Sequence, residues 1–127
     1  MADNPSFAVT PRIGSVNVAT ANTNRDGTGT IATLIQGSAT GTRVAEIVCK
    51  ARANTTAGQV RAWLFDGTNY RFLDEYAIGA ATVSATVQGV RVSTRYDNLI
   101  LPSASWSIVV ATHNAESIDV TAFAADL

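Results

Sequence analysis

Two aromatic runs meet across a short turn in the middle of the chain, and little but a β-hairpin can be built from them. Gln59-Val60-Arg61-Ala62-Trp63-Leu64-Phe65 leads into Asp66-Gly67-Thr68-Asn69 and out through Tyr70-Arg71-Phe72-Leu73-Asp74-Glu75-Tyr76. An Asp-Gly between alternating apolar runs is a strong hairpin signal, because glycine takes a positive φ without steric cost. Four residues separate the runs, which predicts a longer loop built on a type I turn rather than a tight I′ turn. Upstream, Arg43 to Ala53 alternates in the same way and joins the hairpin through Thr55-Thr56-Ala57-Gly58. The stretch 42–78 therefore predicts three successive strands.

The remaining chain repeats the pattern. Thr30 to Ile35 reads as a strand ending at Gly37-Ser38-Ala39-Thr40-Gly41. Ala80 to Thr94 is rich in valine but broken by Gly79 and Gly89, and Tyr96 to Leu101 is short and stops at Pro102. Trp106 to Thr112 is the most apolar run, and Ser117 to Ala124 closes the chain after a turn at His113-Asn114-Ala115-Glu116. No stretch holds a helical period over three turns, and alanine is interleaved with Thr, Val and Ser, which lowers helix propensity. About eight strands at this spacing predict an all-β fold, an antiparallel β-sandwich or jelly roll. Residues 1–28 differ. Pro5, Pro11 and the run Ala21 to Gly27 are coil and turn formers, with Ile13, Val16 and Val18 suggesting one short strand. The expected organisation is an extended N-terminal arm over 1–28 and a β-sandwich, jelly-roll-like domain over 29–127.

Composition excludes several classes. The chain has 127 residues, enough for one core, and a net charge of −1, so it lacks the basic footprint of a nucleic-acid or anionic-membrane binder. Charged residues are only 15%, well under the usual quarter, which points to a Thr/Ser-rich surface partly covered by other protein. Among nine basic residues only Lys50 is a lysine, and arginine is the cation favoured at interfaces. No run reaches transmembrane length, and Met1 to Pro5 lacks a basic signal-peptide n-region, so synthesis in a cytoplasm is expected.

Catalytic and metal chemistry finds little to work with. Cys49 alternates with Ala45, Ile47 and Ala51 and reads as a small buried hydrophobe. His113, the one histidine, lies in a turn, and no nucleophile elbow accompanies it. One His and one Cys exclude zinc sites of the usual type, and Asp66, Asn69, Asp74 and Glu75 lack calcium-loop spacing. Asp74 and Glu75 point to opposite faces of a strand. A non-enzymatic protein without a cofactor is expected.

Alternation also divides the aromatics. Trp63 and Phe65 lie opposite Leu64 in the pleat, so if Leu64 faces the core, part of the aromatic set meets a second buried surface, another subunit by preference. A stacking platform for a sugar is the other use of such rings.

The segments Thr42 to Ala51, Thr55 to Arg61 and Asp66 to Arg71, with Ala21 to Thr30, Asn114 to Glu116 and Phe123-Ala124, resemble small β-sandwich virion proteins of tailed bacteriophages, of the capsid decoration (cement) type. The resemblance covers most of the chain after residue 20 and is a pattern of strands and turns. It implies a protein of the capsid surface that binds the major capsid protein and clamps the shell, itself a homo-oligomer and typically a trimer. Phe7, Val9, Pro11 and Arg12 of the arm, with Trp63 and Phe65, are the expected partner-binding residues. The alternative is a receptor- or carbohydrate-binding module of a phage tail or fibre.

Overall fold

A computed structural model describes residues 10–127. The strands are β1 (Thr10–Val18), β2 (Ala32–Gln36), β3 (Thr42–Ala51), β4 (Gly58–Phe65), β5 (Tyr70–Ile78), β6 (Arg91–Leu101), β7 (Ser107–Thr112) and β8 (Ile118–Asp126). They form two four-stranded antiparallel sheets, ordered β1-β8-β3-β6 and β2-β7-β4-β5. The protein is an antiparallel β-sandwich.

The pairing is nested around the central turn. β4 pairs with β5, β3 with β6, β2 with β7 and β1 with β8, as if one long hairpin were folded into two layers. At its apex the Asp66 carboxylate accepts from the backbone N–H of Thr68 and Asn69 at 2.9 and 2.7 Å, with Gly67 at φ 98°. The loop is thus capped by a carboxylate, with glycine in the left-handed region.

Between the layers lie Val44, Ile47, Cys49, Val60, Ala62, Ile108, Val110, Ile118, Val120 and Ala122, all buried. The Cys49 thiol belongs to this core, and burial pushes its pKa up to about 12, so it stays protonated. Each open side of the sandwich has its own tie. Arg12 Nη1, on edge strand β1, donates to the Gln36 carbonyl at 2.8 Å, Thr42 Oγ1 at 3.2 Å and Asp126 Oδ1 at 3.1 Å, joining both sheets. On the opposite side the Tyr76 and Tyr96 hydroxyls lie 2.7 Å apart and Tyr96 donates to Asp74 Oδ2 at 2.7 Å, linking β5 to β6.

Three expectations are revised. A bulge between Val44 and Glu46 turns Val44 inward and leaves Ala45 exposed, reversing the faces predicted for the start of β3. One extra residue shifts every side chain before it to the other side of the sheet. Next, residues 80–88 are not a strand. Val83 and Val87 sit in the β5–β6 loop, whereas Val92 continues with Tyr96 into a single β6. β-Propensity makes no strand where no neighbour is available to pair. Finally, Thr10–Val18 is a full strand paired with β8 along its whole length, on a sheet edge where Pro11 costs no ladder bond.

Candidate interaction faces

Each sheet turns one face to the core and one outward, and the two outward faces are finished differently. On β4 the outward residues are Arg61, Trp63 and Phe65, and on β7 they include Val109 and Ala111. Trp63, Val109 and Ala111 form a second buried cluster, flanked by Ile31 and Phe65 and separate from the main core. Six consecutive residues of β7 are buried, which requires cover on both sides.

The cover is the chain's own β1–β2 connection, residues 19–31, here called the strap. Asn22 is its hub. Its backbone N–H bonds the Thr112 carbonyl, its side-chain Nδ2 donates to the Thr28 and Thr30 carbonyls at 2.9 Å each, and its Oδ1 accepts from the Asn24 N–H. Asp26 caps the next turn by accepting from the N–H and hydroxyl of Thr28, which holds its carboxyl below the usual range, the Thr28 hydroxyl first and its N–H second. The strap then grips an aromatic ladder. Trp63 Nε1 donates to the Arg25 carbonyl at 3.0 Å. Phe72 stacks on Trp63 with ring centroids 5.6 Å apart, and the Arg25 guanidinium lies 5.0 Å from the centre of the Phe72 ring. Tyr70 stacks on Phe65 at 4.4 Å. Gly27, at φ 88°, packs on the Tyr70 ring where any Cβ would collide. Arg25 also binds Glu75 through both carboxylate oxygens at 2.8 and 2.7 Å, which is the first cause of the lowered Glu75 pKa.

This revises the role expected for Trp63. It is 1% exposed within a single chain, so it has no surface left for a partner. Phe65 is half-buried and Phe72 and Tyr70 are partly exposed, but their rings are engaged by Trp63, Arg25, Phe65 and Gly27. The strap seats Trp63, while Phe72 and Tyr70 at its margin stay 41% and 37% exposed.

The outward face of the first sheet is left bare. Ile13 on β1 is 68% exposed and stands opposite Phe123 on β8, 41% exposed. Pro11 pairs with Ala125, Ala125 with Arg43, and Arg43 with Ile100 on β6, itself 45% exposed. Together with exposed Ala45, Pro11, Ile13, Phe123, Ala125 and Ile100 make one end of the face a mainly apolar strip, with Arg43 set between Ala125 and Ile100. Its other end is polar. Asn17 and Arg52 converge on Asp119, at 2.9 and 2.7 Å, and hold its carboxyl below the usual range, Arg52 first.

Of the expected partner-binding residues, Pro11 is exposed on this bare face and Arg12 beside it is committed to the internal tie with Asp126. Phe7 and Val9 lie outside the described residues. Ile13, Phe123 and Ile100 are not among the partner-binding residues expected from sequence. The pairing of Ile13 with Phe123 needs a register between chain ends that no local pattern encodes. Among the described residues no three His, Cys, Asp or Glu side chains converge to hold a metal ion, and no helix is long and apolar enough to cross a membrane.

No protein-family model matches the chain, and no curated protein matches it. Among solved structures, a pentameric capsid protein isolated from metagenomic phage sequences is similar at 16% identity and a TM-score of 0.45, over 90% of this chain and 61% of that one. This chain thus spans less than two thirds of that protein. A chain of the T13 IBDV viral particle is similar at 13% identity and a TM-score of 0.38, over 99% of this chain and 35% of that one. One of the infectious bursal disease virus Gx strain gives 15% and 0.25, over 94% and 28%.

Proposed function

We propose that this protein is a non-enzymatic structural protein of a bacteriophage virion. It acts as a decoration, or cement, protein that binds the major capsid protein and itself forms a homo-oligomer, a trimer by preference. We read the nested strand order as a jelly roll. The observation that carries the proposal is the bare outward face of the first sheet, where Pro11 and Ile13 on β1, Phe123 and Ala125 on β8 and Ile100 on β6 lie along one end. An exposed apolar strip rimmed by polar residues marks a protein contact. Repetition on a shell lets such small contacts add up. Phe7 and Val9 are assigned to the same contact, with Pro11. Low overall charge and the resemblance to phage decoration proteins support the same reading.

Co-sedimentation of the purified protein with shells of the accompanying major capsid protein tests it. The wild type is expected to pellet with the shells, and Ile13→Glu/Phe123→Glu, folded as judged by circular dichroism, to stay in the supernatant. Failure of the wild type to bind shells, together with a monomer at high concentration in sedimentation velocity, would overturn the assignment.

A further inference from the structure

The sole histidine, unused by any function above, sits at the one point where the strap, the second sheet and the β7–β8 turn share a buried cation. Arg61 is 5% exposed and each part of its guanidinium serves a different element. Nε donates to Glu75 Oε2 on β5 at 3.3 Å, Nη1 to the Asn22 carbonyl of the strap at 3.4 Å, and Nη2 faces His113 Nδ1 at 3.2 Å. A guanidinium is always a donor and keeps its proton in proteins. His113 Nδ1 must therefore be the bare acceptor, with the ring's proton on Nε2. The ring borders a groove of about 330 Å³ lined also by Ala57, Gly58 and Gln59, through which solvent protons reach it.

We propose that His113 is a pH-dependent latch on the strap. Neutral, it accepts from Arg61 and keeps the guanidinium turned so that Nη1 reaches Asn22. Protonated, it has no lone pair at Nδ1 and sets a second cation against Arg61, so the guanidinium withdraws and the Asn22 hub loses one of its contacts. Histidine is the side chain whose charge ordinarily changes in this pH range. The surrounding charges do not cancel the effect. Glu75, the carboxylate bound to Arg61, is already shared with Arg25 of the strap. Glu116, in the same turn as His113, is engaged by the N–H and hydroxyl of Thr56. β7 brings no charged residue to the site, and the remaining neighbour on β4, Gln59, is neutral. A loosened strap uncovers Trp63 beneath it. The inference is independent of the capsid assignment.

The test compares trypsin cleavage after Arg25, in the strap, with cleavage after Arg52, in the β3–β4 loop, on the same molecules by mass spectrometry. Taking the ratio removes the protease's own pH dependence. Lowering the pH from about 8 to about 5 is expected to raise the Arg25/Arg52 ratio by about tenfold in the wild type. His113→Gln, which keeps an acceptor but does not titrate in this range, is expected to hold the ratio flat. Emission of Trp63 in a Trp106→Phe background should shift red over the same interval. A wild-type ratio unchanged across this interval overturns the proposal without any variant. A His113→Gln protein that titrates like the wild type also overturns it, by assigning the response to a carboxylate.

Discussion

The two outward faces of this sandwich begin from the same problem, apolar side chains at alternate strand positions, and end in opposite states. On the second sheet a strap with few apolar residues covers Trp63, Val109 and Ala111 and leaves Trp63 1% exposed, with Phe72 and Tyr70 at its margin. On the first sheet nothing within residues 10–127 covers Ile13, Phe123 or Ile100. The difference is not hydrophobicity, since the bare strip is as apolar as parts of the covered one. It lies in the polar hardware around each. The strapped face has Asn22, Arg25, Asp26 and Arg61 to bind a backbone segment to it. The bare strip has only Arg43 among its own residues, and that guanidinium donates to the Asp97 carbonyl. A covered face of this kind belongs to the fold, and a bare one is available to another protein.

If that division holds, substitutions under the strap should act on stability and those on the strip should not. The largest effect is expected at Trp63. Trp63→Ala removes the buried ring beneath Arg25 and Phe72, and about 3–5 kcal/mol of unfolding free energy should be lost in urea denaturation. A loss under 1 kcal/mol would mean that the strap contributes little cover. Asn22→Ala comes next. It strips the carbonyls of Thr28 and Thr30 of their donor and the Asn24 N–H of its acceptor, for an expected loss of about 1–3 kcal/mol. If the division is right, this variant should also become more susceptible to cleavage after Arg25 than after Arg52.

How far the sequence foretells this contrast depends on the range over which each cause acts. Strand alternation alone sets Trp63 and Phe65 opposite Leu64 and requires a second covered surface, because the pleat is a local property. What covers it is not local. Trp63 bonds a carbonyl 38 residues away, and Ala21 to Gly27 advertises turns without naming the surface they lie on. The Asn, Asp and Gly residues that read as turn and coil formers of an extended arm are the ones that hydrogen-bond the strap into place. The bulge at Ala45 hides the true inward face of early β3 for a related reason. Its position follows from pairing with β6 and β8, and nothing in Thr42 to Ile47 marks it. The bare strip is less legible still, since it joins residues from both chain ends.

Acid should affect both faces more mildly. The Glu75 carboxyl is lowered first by hydrogen bonds from Arg25. Asp126 is lowered first by Thr42 with Arg12 adding, and Asp119 first by Arg52. A carboxylate with a depressed folded pKa stabilises the protein above its unfolded value, and that contribution is lost as pH falls through the folded one. Apart from any loss between about pH 8 and 5 through the His113 latch, these carboxylates should leave the urea midpoint level down to about pH 4 and lower it below that. All three groups are solvent-accessible, so the decline should be gradual and reduced by salt. Glu75→Gln should flatten only the part owed to the strapped face. An equally steep decline in that variant would place the acid response in the first sheet.

The smallest expected effect on stability is the most informative. Ile13 is 68% and Phe123 41% exposed, so Ile13→Ser should shift the unfolding free energy of the monomer by no more than about 0.5 kcal/mol and Phe123→Ser by no more than about 1 kcal/mol. Each loses one partner of a cross-strand pair, a contact worth no more than about 1 kcal/mol even where packing is good. The same variants should weaken self-association and shell binding, because burial of those side chains would then occur only between molecules. Stability and association are thus expected to separate on this face and to fall together at Trp63. A loss of about 2 kcal/mol or more for Phe123→Ser in a monomeric sample would show the strip already buried within one chain, in a contact made by residues 1–9. The bare face would then be a second strapped face, and the surface available to partners would have to be sought at the strand edges instead.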